Sequence, residues 1–126
     1  MGGACGAALR WAVLAIWPIG DGVAWSLLGL NVAGSFLLGA TLAQQWQHPR
    51  QRLLLHDLVG VGFCGGLTTM STFSVEVAEL LQRADYTAAG LYTAVSVVAA
   101  LIAVAFGAAA AGRPRALALP VEEPAP

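Results

Sequence analysis

The sequence predicts an all-α membrane protein of four transmembrane helices, the third of them broken near its middle. Three observations lead there. The 126 residues are 58% apolar and only 10% charged, with no lysine, a composition that suits lipid better than water. Uncharged runs at Trp25–His48, Leu58–Val75 and Tyr86–Gly112 each span or nearly span a hydrocarbon core, which takes roughly 20 helical residues to cross. The middle run gives up its aliphatic residues for Gly65-Gly66 and then for hydroxyls at five of the seven positions 68–74.

The same composition excludes several classes. A formal net charge of −1 leaves no basic patch for nucleic acid, and no Gly-rich phosphate loop ending in Lys is present. Cys5 and Cys64 fall in different apolar spans without a second Cys or a His at ligand spacing, so they read as small apolar side chains.

Taken in order, span one covers residues 2–19 and is interrupted by Arg10. No basic region precedes it, which argues against a signal peptide. Trp17-Pro18 supplies an interface anchor and a helix stop, and the loop Ile19–Ala24 turns the chain at Asp21, making spans one and two antiparallel neighbours. Span two runs 25–46, bracketed by Trp25 and Trp46 at the two interfacial belts. After a loop with Pro49, Arg50 and Arg52, span three covers 53–81. It is too long for one straight crossing, and the break is expected at the glycine pair near its centre. The link Gln82–Asp85 leads into span four, 86–111. Residues 1–111 thus form one four-span domain. The tail 112–126, with four prolines and two glutamates, is expected to be disordered. Arg50, Arg52, Arg113 and Arg115 against Arg83 place both termini in the cytoplasm by the positive-inside rule.

Backbone released by a helix break cannot face lipid, so a break at Gly65–Thr72 is buried in protein or lines water, as at many ion and substrate sites. Thr68, Thr69, Ser71, Thr72 and Ser74 can each donate to an anion or return a proton to a helix carbonyl. Asn31, Ser35 and Gly39 recur at four-residue spacing on span two, and Tyr92 and Ser96 stand one turn apart on span four. Asn31 reads equally as interhelical glue, worth about 1 kcal/mol, or as pore lining. Arg10 either snorkels to an interface or faces a wet cavity. Glu79 and Arg83 have the spacing of an i,i+4 ion pair, while Glu76, one turn nearer the hydroxyls, suits a vestibule. His48 and His56 lack partners at ligand spacing and read as surface residues.

The string GFCGGLTTMSTFSVE in span three, LNVAGSFLLG one span earlier and GGACGAALRW at the N-terminus resemble the CrcB/Fluc fluoride channels across all four spans. The resemblance implies an antiparallel homodimer in the bacterial plasma membrane, with two fluoride pores that export fluoride from the cytoplasm and lower its toxicity. It also implies a structural sodium ion at the dimer centre, held by the backbone carbonyls of Gly65 and Thr68. Asn31, Ser71, Thr72, Tyr92 and Ser96 would line the anion path, and Phe73 would turn its ring edge to fluoride. Met70 stands where the family pattern has a phenylalanine, replacing one ring contact with a thioether. Such a path is chemically reasonable, because a tightly hydrated anion needs weak donors in series and no deep trap, and an aromatic edge carries the positive part of the ring quadrupole.

A small dual-topology proton-coupled exporter is the alternative. It would need a titratable carboxylate at mid-membrane, and Glu76 and Glu79 lie near a helix end. An enzyme is disfavoured because no nucleophile, base and orienting group converge.

Overall fold

The computed structural model describes residues 1–20, 23–44 and 49–111, apart from the side chains of Pro49, Arg52 and Leu53, and among these every regular element is helical. The turn at Asp21, the anchor Trp46, His48 and the tail 112–126 lie outside the described residues. Helix α1 is Gly2–Ile16, α2 Trp25–Leu42, α3 Pro49–Gln51, α4 Cys64–Leu67, α5 Met70–Gln82 and α6 Tyr86–Ala110; between α3 and α4, Arg52–Phe63 winds as a wider π-type stretch.

Three stretches are long and apolar enough to cross a bilayer: Trp25–Leu42, Leu54–Gln82 and Tyr86–Ala110, of 18, 29 and 25 residues. Helix α1, at 15 residues, is shorter than the expected 2–19. It leaves helical geometry at Trp17, φ −125° and ψ 78°, because the ring of Pro18 disfavours the α region for the residue before it. Leu91, Val95, Val98, Leu101, Ile102 and Phe106 on α6 stay exposed, an apolar surface that water would not tolerate at this extent but acyl chains solvate.

In lipid, apolar helices gain little from burying apolar area, so close van der Waals approach through small residues joins them. Two such seams organise the chain. Helix α2 packs chiefly on α6, where a Cβ on Gly39 would overlap the Val104 carbonyl and one on Gly107 the Phe36 carbonyl. Helix α1 packs chiefly on α4 and the π-type stretch, where a Cβ on Gly6 would overlap the Phe63 carbonyl and one on Gly66 the Gly3 carbonyl. The expected α1–α2 neighbourhood is only a slight contact, since the matched glycines of α1 lie against the third segment instead.

The three-residue link between α5 and α6 is set by its own hydrogen bonds. Ala84 N–H donates to Leu81 O and Asp85 N–H to Leu80 O, both at 3.0 Å, closing a Schellman turn around Ala84 at φ 59°. Asp85 then caps α6, accepting from Ala88 N–H at 3.0 Å. This turn brings the ends of α5 and α6 against the start of α2, where Ala24, Leu27, Leu80, Ala89 and Tyr92 form a buried cluster.

The glycine pair is not where the chain leaves the helix. Gly65 and Gly66 lie within α4, and the extended residues are Thr68 (φ −79°, ψ 152°) and Thr69 (φ −147°, ψ 120°). Gly66 serves the seam with α1, whereas Gly65 has nothing within 4 Å of a would-be Cβ.

Candidate functional site

The peptide unit joining Thr68 to Thr69 has no place in a helical ladder, and side chains from two other helices satisfy it. Its carbonyl accepts from Arg10 Nη1 on α1 at 3.3 Å, and its N–H donates to Asn31 Oδ1 on α2 at 3.0 Å. In a continuing helix that N–H would close on the Gly65 carbonyl, so the turn that exposes Thr68 also withdraws the Gly65 carbonyl's expected donor. Arg10 is half-buried, and its guanidinium turns onto this main chain. Gly34 makes room for this, since a Cβ there would overlap the Thr68 methyl.

Thr69 is the residue that sequence reasoning counted among the hydroxyls but gave no role. It is buried at 8% exposure and caps α5, its Oγ1 accepting from Thr72 N–H at 3.2 Å. The same oxygen lies 3.0 Å from Ser71 Oγ and 3.2 Å from Thr72 Oγ1, so one hydroxyl gathers two more. The available signal was a Thr just before a helix start, the ordinary N-cap preference. Other hydroxyls take the bland course: Ser74 donates to the Met70 carbonyl at 2.8 Å and Thr68 Oγ1 to the Cys64 carbonyl at 2.9 Å.

An open-sided cleft of about 430 Å³ runs between α2, the third segment and α6. Asn31, Ser35, Gly65, Thr68, Met70, Phe73 and Ser96 all line it, so the structure brings together residues from three helices. Gly39, expected on the same face of α2 as Asn31 and Ser35, has rotated onto α6, because each four-residue step on a helix of about 3.6 residues per turn drifts sideways. Ser71, Thr72 and Tyr92 are not part of the lining; the first two are tied to Thr69 and the third to Phe73, whose ring centroid is 5.5 Å from that of Tyr92 at 34°. Tyr92 Oη and Ser96 Oγ are buried, with no hydrogen bond beyond a loose mutual interaction one turn apart, and a buried hydroxyl so weakly paired is costly. Glu76 lies half-buried on α5, away from the cleft lining. Glu79 and Arg83 form the expected i,i+4 pair at 3.5 Å on an exposed surface.

Among the described residues no group of three or more His, Cys, Asp or Glu could hold a metal.

A sequence model described as "CrcB-like protein, Camphor Resistance (CrcB)" matches residues 1–108. The chain belongs to the CrcB family. A protein named fluoride-specific ion channel FluC from Bordetella petrii is 39% identical over 111 residues, covering 88% of this chain and 86% of that one. The FluC of Aromatoleum aromaticum is 42% identical over 112 residues, covering 86% and 84%, and FluC 2 of Nocardia farcinica is 37% identical over 112, covering 88% and 80%. With three candidate crossings and bacterial relatives of this kind, this CrcB-family chain is a multi-pass membrane protein and not an enzyme.

Proposed function

We propose that the chain is the subunit of a fluoride-selective channel that releases fluoride from the cytoplasm and lowers its toxicity. The observation that carries this is the cleft itself, which combines amide, hydroxyl and aromatic-edge groups from α2, the third segment and α6 and holds no formal charge on its lining. A fluoride ion surrenders water only to donors, and donors of modest strength in series let it move on. Asn31, Ser96 and Tyr92 supply such donors, Ser71 and Thr72 extend them as a track, Phe73 offers its ring edge, and Met70 flanks the path with a polarizable thioether. Arg10 and Glu76 flank it as structural or vestibule charges.

The working unit in this reading is an antiparallel homodimer with two pores, each subunit a four-span domain over 1–111 whose third span is interrupted at Thr68–Thr69. Supporting it, Gly65, Ser71 and Met70 are exposed on the protomer, and interrupted backbone beside hydroxyls requires protein or water, not lipid, as its neighbour. A two-fold axis would bring the Gly65 and Thr68 carbonyls of both subunits together. The Gly65 carbonyl, without its in-register donor, suits sodium, whereas the Thr68 carbonyl would share its second lone pair with the ion beside the like charge of Arg10. The ion would be structural, balancing oxygens that lipid cannot.

The test is fluoride efflux from liposomes holding the purified protein, with chloride as control. Fluoride release far faster than chloride release is expected. Equal rates, no flux, or flux that requires a proton gradient would remove the channel reading, the last in favour of a proton-coupled exporter.

A further inference from the structure

The Thr68–Thr69 peptide is held at both ends by side chains from different helices. Arg10 donates to its carbonyl at 3.3 Å, and its N–H donates to Asn31 Oδ1 at 3.0 Å. Because a backbone N–H can only donate, the amide oxygen of Asn31 must face it, and the two Nδ2 protons are left for the cleft that Asn31 lines. The three groups are thus in series: guanidinium, peptide, carboxamide. A positive charge on a peptide carbonyl makes the N–H of that peptide a stronger donor, and a stronger bond to the Asn31 oxygen makes its NH2 protons more positive in turn.

We propose that Arg10 is a positioning residue that strengthens Asn31 as an anion donor through this peptide. The device gives the path part of a positive charge without putting an ion on its wall, where a guanidinium in contact with fluoride would bind it too firmly to pass. It also accounts for a half-buried arginine turned onto main chain in an apolar helix, where a charge is expensive to keep. The inference rests on the reading of Asn31 as an anion donor given above, and the experiment separates the two.

Arg10→Gln retains a donor for the Thr68 carbonyl but removes the charge, and Arg10→Lys retains the charge. Each is made alone and with Asn31→Ser, and fluoride efflux is measured from liposomes after size-exclusion chromatography has verified an unchanged oligomer. Arg10→Gln should slow efflux about tenfold, Arg10→Lys less than about threefold, and Arg10→Gln should slow it less than about twofold when Asn31 is already Ser, because its effect passes through Asn31. The same tenfold loss in both backgrounds would overturn the proposal, since Arg10 would then act on the anion by another route. Independently, the side-chain amide protons of Asn31, followed by NMR in labelled protein, should move to lower frequency in Arg10→Gln, and an unmoved resonance would also overturn it. If Asn31→Ser leaves efflux unchanged, the anion-donor role of Asn31 fails, and the amide resonance alone decides whether the peptide transmits the charge.

Discussion

The rings of Phe73 and Tyr92 lie 5.5 Å apart at 34°, and the hydroxyl of that tyrosine is buried with only a loose interaction with Ser96. The pair joins the cleft lining on α5 to the buried cluster at the start of α6, so the ring serves packing while the hydroxyl interacts only loosely with Ser96. Tyr92→Phe preserves the ring contact and removes a group whose burial costs about 1–3 kcal/mol unpaired. Its thermal midpoint in detergent should equal or exceed that of the parent, while fluoride efflux falls. A lowered midpoint with efflux intact would show that the hydroxyl has a structural partner in the assembly instead of a role on the path.

Adjacent glycines of α4 should respond differently to the same change. A Cβ at Gly66 would overlap the Gly3 carbonyl, while one at Gly65 meets nothing within 4 Å. Gly66→Ala should therefore push α1 from α4 and cost about 1–3 kcal/mol, the range for overpacking. Gly65→Ala should leave the protomer's midpoint unchanged and weaken dimerisation, since Gly65 is exposed on the protomer beside the interrupted ladder. Equal effects on midpoint would mean that Gly65 is packed as closely as Gly66.

Much of this was legible in the sequence, and what was not has physical causes. Long uncharged runs announce spans because the bilayer imposes both a length and a composition. Glycine is ambiguous: the residue that frees a backbone also permits close helix approach, and nothing local in Gly65-Gly66 says that its partner is Gly3, sixty-three positions earlier. Thr69 escaped for a similar reason. Its hydroxyl caps α5, a local feature, but its N–H is satisfied by Asn31 across 38 positions. The inward turn of Arg10 likewise depends on a carbonyl that becomes available only because Thr68 is extended.

Asn31→Asp tests the anion path with the fold held constant, since a carboxylate still accepts from Thr69 N–H. It replaces the two Nδ2 donors with negative charge, and like charges about 4 Å apart repel by about 4 kcal/mol at an effective dielectric near 20. Efflux should drop by at least about tenfold with the oligomer intact. Unchanged efflux would return Asn31 to a purely interhelical role.

Ala84 sits at φ 59° at the centre of the turn between α5 and α6, where an L-residue is strained by about 1–2 kcal/mol. Glycine removes that strain but brings a more flexible unfolded chain, an opposing term of about 0.5–1 kcal/mol. Strain is the larger, so Ala84→Gly should raise the thermal midpoint slightly and leave efflux alone. Ala84→Val, β-branched in a left-handed position, should lower it.

Thr69 offers the sharpest separation of side chain from main chain at the site. Its N–H bond to Asn31 is available to any residue except proline, so changes at this position read the side chain alone. Thr69→Val matches the shape but cannot accept from Thr72 N–H, and the loss of an N-cap costs about 0.5–2 kcal/mol. More is lost than the cap, because Ser71 Oγ at 3.0 Å and Thr72 Oγ1 at 3.2 Å both lean on that oxygen and would turn to helix carbonyls, as Ser74 already does. Thr69→Ser keeps the oxygen and gives up only a methyl group. Fluoride efflux should therefore fall severalfold or more in Thr69→Val and stay near the parent in Thr69→Ser, with both proteins keeping the parent's elution volume in size-exclusion chromatography. If the serine variant lost as much as the valine variant, the methyl group's packing would be the contribution that matters, and Ser71 and Thr72 would not depend on Thr69 for their place beside the path.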